Sequence, residues 1–147
     1  MHNLTPRQKR QARITALQVI YAQELQGSDM DTTFEHMLDP ADTPGKDVIV
    51  YSRHLCSLTI QHLDETDTLI KKHSKNWDFE RITIMDRLIL RMSLAEMLFE
   101  DEVPPKVSIT EGVEIAKQFS TSDSSSFING IMDAVYNDLV KGKEKAA

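Results

Sequence analysis

The amino-acid sequence predicts an all-α fold of about seven helices in two closely packed helical subdomains. Apolar residues recur along most of the chain at the three- and four-residue spacing of amphipathic helices. Gly and Pro number only five each among 147 residues, which favours long regular elements. No segment alternates apolar and polar residues as a half-buried strand does. The three observations together exclude a sheet as the main architecture.

Length and composition predict one globular domain. Apolar residues make up 40% of the chain and charged residues 27%, an ordinary globular balance. We divide the domain into an N-terminal helical half (1–75), a C-terminal helical half (76–141) and a tail (142–147) that frays. No apolar run approaches the roughly 20 residues of a membrane span. The lone Cys56 excludes an intramolecular disulfide and fits a reducing compartment, so we expect a cytoplasmic protein.

The charge distribution is uneven. The net charge is −6, yet the first 23 residues hold four bases and no acid, which leaves 13 bases against 23 acids elsewhere. The four bases are Arg7, Lys9, Arg10 and Arg13. Such asymmetry predicts a basic arm for an anionic partner on an acidic body. The alternative is an ordinary solvated start of a helix.

The first helix begins at the Thr5-Pro6 pair and ends before Gly27. Thr is a favoured N-cap, Pro suits the first helical position, and Gly favours the C-terminal cap. The expected buried stripe is Ile14, Leu17, Tyr21 and Leu25. Arg10 and Arg13 lie on the same side one turn earlier, so we expect these bases to project beyond the core.

Three helices follow before position 75. A short helix over 31–38 should turn Phe34, Met37 and Leu38 inward, and a loop is expected over 39–45. A strong helix over 47–63 carries apolar residues and one histidine at heptad-like spacing: Val48, Tyr51, Leu55, Leu58 and His62. A weaker helix covers 65–74, and a break is expected at 75–76.

The C-terminal half contains the most hydrophobic element, a helix over 77–100 that is apolar almost all round and therefore central. Ser108 and Glu111 have capping-box spacing and should open the next helix, to 119. Gly112 suits a close helix contact, with Val113 and Ala116 turned inward. A polar break over 120–126 leads into the last helix, whose apolar residues are Phe127, Ile128, Ile131, Val135 and Leu139.

No catalytic motif is present. The five histidines form neither His-Glu-x-x-His nor a Cys/His ligand set, and the chain has no Gly-rich phosphate loop and no Gly-x-Ser-x-Gly. We therefore expect no enzyme, no metal and no cofactor. His62 with Asp64 and Asp67 is expected to be a satisfied surface group. A phosphotransfer role for His54 or His73 is the alternative that uses a histidine.

The 120–126 break supports several interpretations. Its hydroxyls suit a capped interhelical loop, a phosphorylation cluster or contacts to a nucleic-acid backbone. Phe127 follows directly, and an exposed Phe there would stack on an unpaired base. The periodicity alone favours Phe127 as a core residue.

Three sequence blocks, in this order and spacing, resemble the NusB family of bacterial transcription antitermination factors. They are KRQARITALQVIY at 9–21, WDFERITIMDRLILRMSLAE at 77–96 and DSSSFINGIMD at 123–133. The last block is the most specific of the three. The resemblance covers nearly the whole chain and implies an all-α, NusB-like RNA-binding domain of two helical halves.

The resemblance also implies a function. The family binds boxA, a short single-stranded element of ribosomal RNA leader transcripts, together with NusE, a protein of the small ribosomal subunit. The pair acts with NusA and NusG on RNA polymerase to promote read-through. Family members include monomers and dimers, and a homodimer is compatible with this sequence.

The family's site residues fall on nine positions of this chain. The implied RNA contacts are Lys9, Arg10, Arg13, Gln18, Tyr21, Asp123, Ser124 and Phe127. Asp86 falls where the family has an acid near the NusE side. Positions 125 and 126 are Ser where some relatives have a base, and Gln8 and Gln11 dilute the basic arm. We therefore expect weak RNA binding alone and tighter binding with NusE.

Two other functions remain open at this point. NusB-like domains precede a separate catalytic domain in some ribosomal RNA cytosine methyltransferases. This sequence has no such domain, so we expect methyltransferase activity only if it is a fragment of a longer chain. A helical adaptor that binds protein and no longer binds RNA is the third alternative.

Overall fold

A computed structural model describes residues 4–38, 41, 44–74 and 78–141 of the chain. These residues form seven α-helices, a 3₁₀ helix and a final π-helical turn, and they contain no strand. The all-α prediction is confirmed. The helices are α1 Pro6–Gln26, α2 Met30–Met37, α3 Lys46–Gln61, α4 Leu63–His73, α5 Ile84–Phe99, α6 Pro105–Phe119 and α7 Ser122–Val135; the 3₁₀ helix is Phe79–Arg81 and the π turn Tyr136–Val140.

The chain divides into two compact units, Met1–Ser57 and Leu58–Ala147. We call them unit 1 and unit 2. The division falls inside α3, earlier than the 75/76 boundary drawn from the sequence. Some sequence predictions lie outside the described residues: the 75–76 break, the fraying tail over 142–147 and most of the 39–45 loop. Among the described helices, none combines the length and the apolar character needed to cross a bilayer.

The ends of α1 follow the sequence prediction. Thr5 Oγ1 accepts a hydrogen bond from the Gln8 amide, and the Gln8 side chain accepts one from the Thr5 amide, a complete capping box. Gly27 ends the helix in the left-handed region, at φ 73°, where a side chain would be strained. The predicted buried stripe is wrong at Leu25, which is 62% exposed.

Unit 1 is organised by small residues on α1. Ala12 and Ala16 are fully buried, and their carbonyls lie against α3. Ser52 Oγ donates to the Ala12 carbonyl at 2.7 Å, and Cys56 Sγ lies 3.7 Å from the Ala16 carbonyl. Because alanine side chains are short, α3 approaches the α1 backbone closely enough for these contacts. The buried face of α1 is therefore centred on its alanines.

The short helix α2 adds one aromatic anchor to unit 1. Phe34 is fully buried, whereas Met37 is 42% exposed, so its predicted inward position is wrong. The Arg53 guanidinium lies 4.5 Å from the centre of the Phe34 ring and pairs with Asp31 at 2.7 Å. The ion pair and the cation–π contact join α3 to α2 at the surface of the unit.

The core of unit 2 is α5. Ten of the 16 residues of this helix are buried, as its apolar character on nearly all sides predicts. Its start differs from the prediction, since α5 begins at Ile84 and not at 77. The Thr83 hydroxyl accepts from the Asp86 amide and caps the helix there, while Asp78 and Ile82 are extended. The cap sets the boundary that hydrophobicity alone did not show.

Helix α6 begins one turn earlier than predicted, at Pro105. Pro at the first helical position has its φ already fixed for a helix, and Pro104 precedes it as N-cap. The predicted Ser108–Glu111 capping box is wrong. Ser108 is buried, and its hydroxyl donates to Glu96 Oε1 of α5 at 2.8 Å. This residue therefore joins two helices and does not begin one.

Gly112 lies at the crossing of α6 and α5, as the sequence suggested. A Cβ at this position would lie 2.7 Å from Ser93 Oγ and 3.2 Å from Ser93 Cβ. A side chain at position 112 would therefore force the Ser93 hydroxyl to rotate and Ser93 Cβ to move by a few tenths of an ångström. Ala116, one turn on, is fully buried and Val113 half-buried.

The crossing predicts opposite effects for two helical glycines. A Cβ added to Gly130 of α7 would meet nothing within 4 Å, so Gly130→Ala should raise the free energy of unfolding by up to about 1 kcal/mol. Gly112→Ala gains the same propensity but overpacks the crossing, which costs roughly 1–3 kcal/mol. Urea unfolding should therefore place Gly112→Ala below Gly130→Ala. Equal stabilities would show that the crossing accommodates a Cβ at Gly112 without cost.

Candidate nucleic-acid interface

The basic arm lies on the first turns of α1 in unit 1. Its basic residues lie at the N-terminus of the helix, which is the positive end of the helix dipole. No acidic residue in the first turn compensates for them. Arg10 is exposed and Lys9 half-buried. Further along the helix, Gln18 is exposed and Tyr21 half-buried. Anions are attracted to such a helix start by the bases and by the backbone amides of its first turn.

Arg13 departs from the sequence prediction. We expected it to project beyond the core with Arg10, but only 3% of its surface is exposed. It lies beside Ala12 and one turn before Leu17 on the buried face of α1. A guanidinium at that depth must be desolvated, which is costly unless partners satisfy it. Arg13 is therefore a buried cation behind the exposed Arg10.

Unit 2 contains a pocket of about 200 Å³ between the start of α5 and the start of α7. Four residues selected from the sequence lie together in its wall: Asp86, Asp123, Ser124 and Phe127. The other lining residues were not predicted: Arg81, Ile82, Thr83 and Thr121. Arg81 lies within the 77–96 block, and its position just before a capped helix was the available signal. The five RNA candidates of α1 belong to unit 1.

The pocket combines an aromatic ring, a cation and polar groups. Phe127 is half-buried and Asp123 exposed. The Arg81 side chain is 79% exposed and makes a long ion pair with Asp78, at 3.9 Å. A pocket of this size is below the roughly 300–1,000 Å³ of small-molecule sites. It suits the edge of a planar group held against an aromatic side chain.

The floor of the pocket is a buried carboxylate. Ser120 Oγ donates to Asp86 Oδ1 and Ser124 Oγ donates to Asp86 Oδ2, each at 2.8 Å. Asp86 and Ser124 are each 6% exposed. The two hydroxyl oxygens also lie 2.9 Å apart, but each carries one proton, and the carboxylate is the stronger acceptor.

Thr121 completes the network and sets the start of α7. Its hydroxyl oxygen accepts from the Ser124 amide at 3.3 Å and lies 3.0 Å from Ser124 Oγ. The helix therefore begins at Ser122, and much of the predicted 120–126 break is helical. Because the break is short and bonded to α5, Asp123 and Phe127 are held at fixed places on the first turns of α7.

Asp86 is an internal anchor in this structure. Both of its carboxylate oxygens accept hydrogen bonds from unit 2 itself, and almost none of its surface is exposed. A partner protein would reach Asp86 only through the pocket that it lines. Its assignment to the NusE side stays a prediction.

In the part of the chain that the structure describes, no histidine and no cysteine lines this pocket. His62 stacks on Phe99 with ring centres 3.6 Å apart and pairs with Glu65 at 2.7 Å, so it is satisfied as expected, through a different acid. His73 lies 3.4 Å from Asp138. Burial raises the pKa of the Cys56 thiol to about 12, which leaves almost no reactive thiolate. Within the described ranges, no cluster of three or more His, Cys, Asp or Glu could hold a metal.

Comparison with known proteins gives a consistent result. The NusB family model matches residues 10–137. A transcription antitermination protein NusB of Chloroherpeton thalassium is 44% identical over 134 residues, which cover 89% of this chain and 62% of that protein. The NusB of Salinibacter ruber is 37% identical, with 89% and 82% covered. The chain thus spans less than two thirds of the Chloroherpeton relative.

Solved structures resemble the whole fold. T. maritima NusB has a TM-score of 0.83 at 28% identity, covering 97% of this chain and 99% of that one. A NusB chain described in complex with NusE and double-stranded RNA has a TM-score of 0.81 at 26% identity, covering 91% and 99%.

The anchor predicts a contrast between two acids of the same pocket. Asp86→Asn replaces one acceptor by a donor, so one serine hydroxyl loses its partner. Because hydrogen bonds to charged groups contribute about 1.5–3 kcal/mol, the free energy of unfolding should fall by roughly that amount. Asp123→Asn makes the same change at an exposed position and should shift stability by less than about 1 kcal/mol. Equal losses in urea unfolding would refute the anchor.

Proposed function

Because the chain belongs to the NusB family, we propose that it is a transcription antitermination factor that binds the boxA element of nascent ribosomal RNA leaders together with NusE. In this proposal it promotes read-through by RNA polymerase in a complex with NusA and NusG. It is a binding factor and not an enzyme. The observation that supports the proposal most is the unit 2 pocket, in which the sequence-selected Asp123, Ser124 and Phe127 lie together with Arg81.

The pocket chemistry suits single-stranded RNA. Unpaired bases expose their faces and edges, and proteins recognise them by stacking on aromatic rings and by hydrogen bonds to the edges. Phe127 supplies a half-exposed ring. The Asp123 carboxylate can accept from base amino groups, and Arg81 can pair with a neighbouring phosphate. A duplex would keep its base faces stacked away from Phe127.

The basic arm supplies the electrostatic part of the proposal. Arg10 is exposed and Lys9 partly so, which suits contacts to phosphates. Arg13 is buried. It therefore adds positive charge and packing beneath Arg10, and it can contact RNA only if binding exposes it. Gln18 and Tyr21 border the same helix further from its start. Because so few basic side chains of the arm are exposed, the chain alone should bind RNA weakly, and NusE should strengthen the binding.

The experiment is a titration of a labelled boxA RNA, followed by fluorescence anisotropy, with and without NusE, at two salt concentrations. The proposal predicts salt-sensitive binding that NusE strengthens and that a scrambled RNA lacks. An RNA affinity that NusE leaves unchanged would contradict the cooperative part. Absence of binding in every condition would contradict the RNA-binding function altogether.

Variants of exposed residues test the contacts. Lys9→Gln with Arg10→Gln should lower the slope of log affinity against log salt by about 1.4, since each phosphate contact to single strands contributes about 0.7. Arg53→Gln removes one charge from a paired position of unit 1 and should leave the slope unchanged. Arg13 is unsuitable for this test because substitution of a buried cation would also change stability. If RNA binding and NusE binding both persist unchanged in the Lys9/Arg10 variant, the arm on α1 does not contact RNA. Absence of RNA binding by the parent chain, with NusE binding intact, would favour the protein-only adaptor.

The aromatic contact has its own test. Phe127→Leu keeps an apolar side chain but removes the stacking surface. Stacking on one base contributes about 1–3 kcal/mol, so boxA affinity should fall roughly 5- to 150-fold. Phe119→Leu, a half-buried phenylalanine at the end of α6 outside the pocket, should bind as the parent does. Equal affinities for both variants would exclude stacking on Phe127.

A further inference from the structure

Three cations surround one aromatic ring in unit 2. Lys71 Nζ of α4 lies 4.9 Å from the centre of the Phe79 ring. The guanidinium carbons of Arg87 and Arg91, both on α5, lie at 5.3 and 5.8 Å. All three distances are within the roughly 6 Å range of a cation–π interaction. We call these four residues the Phe79 cluster.

The cluster carries more positive charge than its own contacts neutralise. Arg91 is fully paired, because its Nε and Nη2 donate to the two carboxylate oxygens of Asp67 at 2.7 and 3.0 Å. Within the described part of the chain, Lys71 and Arg87 have no acid at ion-pair distance. Arg87 Nε is also buried without a hydrogen-bond acceptor. Among the described residues, the Arg91–Asp67 pair is the cluster's one ion pair, and it leaves the charges of Lys71 and Arg87 without a paired acid.

Two unpaired cations around one ring destabilise the folded chain unless an anion binds between them. Lys71 and Arg87 contact the same ring, so their separation is at most on the order of one Debye length, about 10 Å at 0.1 M salt, and they repel each other. Leaving a buried donor without an acceptor costs about 1–3 kcal/mol. The cation–π contacts offset only part of these terms. The Lys71 side chain is exposed and Arg87 and Phe79 are half-buried, so an anion can reach the cluster.

The cluster and the pocket share the segment that leads into α5. Phe79 and Arg81 belong to the same 3₁₀ helix, and Arg81 lines the pocket. Arg87 is the neighbour of Asp86, the pocket floor. We infer that Lys71 and Arg87, held on the Phe79 ring, form a second RNA contact that binds backbone phosphates of nucleotides flanking the boxA element. The inference rests on the proposed function and adds a site to it.

The ligand that fits is a phosphodiester and not a base. Three cations lie within 6 Å of the centre of the Phe79 ring, so a nucleobase would have to compete with them for a face of the ring. An Arg and a Lys with open donors bind phosphate oxygens, and such contacts follow the RNA backbone without reading sequence. A carboxylate of a protein partner would use the same donors. The position beside the RNA pocket favours the RNA.

The test compares RNAs of different length on the full chain in the presence of NusE. One RNA is the boxA element alone, and two others carry a short uridine tract at the 5′ or the 3′ end. Binding is measured at two salt concentrations for the parent and for Lys71→Gln with Arg87→Gln. The control is Lys72→Gln, the same charge change on the next residue of α4, whose cation is paired with Asp138 at 3.0 Å.

The parent should bind one extended RNA at least about tenfold more tightly than the element alone, as hydrogen bonds to charged groups imply. The double variant should lose that gain, with a salt slope lower by about 1.4, and should bind the short element as before. Lys72→Gln should keep the gain. The exposed Lys71→Gln alone, which disturbs no buried group, should lose part of it, and this excludes misfolding as the cause.

Three outcomes would overturn the inference. In the first, neither extension improves binding by the parent. In the second, the gain persists in the double variant. In the third, the double variant weakens NusE binding and leaves all RNA affinities in place, which would make the cluster a protein-binding surface. Failure of the parent to bind the short element is a different result and contradicts the proposed function itself.

Discussion

The hydrogen bonds from two serines to one buried carboxylate are the interaction on which the unit 2 site depends. Asp86 lies on the first turn of α5, and Ser120 and Ser124 flank the start of α7. Burying an ionised carboxylate is costly, and these two donors compensate for it. Because the bonds join the starts of two helices, they fix where Phe127 and Asp123 stand. The pocket therefore owes its shape to an acid that a ligand does not need to contact.

The segment 78–87 contributes both to the stability of unit 2 and to its positive charge. Over 78–87 the chain passes from an exposed turn through the Thr83 cap into the core helix. Arg81 faces the pocket, and Arg87 lies on the Phe79 ring. The acidic body confines favourable potential for an anion to such basic places. Unit 1 adds a second basic element, at the start of α1.

The sequence predicted the features that depend on neighbouring residues. The Thr5-Pro6 start, the Gly27 end, the central α5 and the close approach at Gly112 follow from local chemistry and periodicity. Features that depend on distant residues were missed. Arg13 is buried because it lies on the face of α1 that the buried Ala12 and Ala16 define. Ser108 of α6 donates a hydrogen bond to Glu96 of α5. The Asp86 anchor joins residues 34 and 38 positions apart, which no local pattern reveals. Family resemblance located Phe127 and Asp123, but it gave no reason for their positions.

The measurement that tests the account most directly is a double-mutant cycle between Asp86 and Ser124, read as boxA affinity in the presence of NusE. The parent, Asp86→Ala, Ser124→Ala and the double variant are titrated under one salt condition, with folding checked by circular dichroism. If the hydrogen bond between them positions the pocket, each single variant weakens binding and the double variant is no weaker than the worse single one. Losses that add, or single variants that bind as the parent does, would contradict the account.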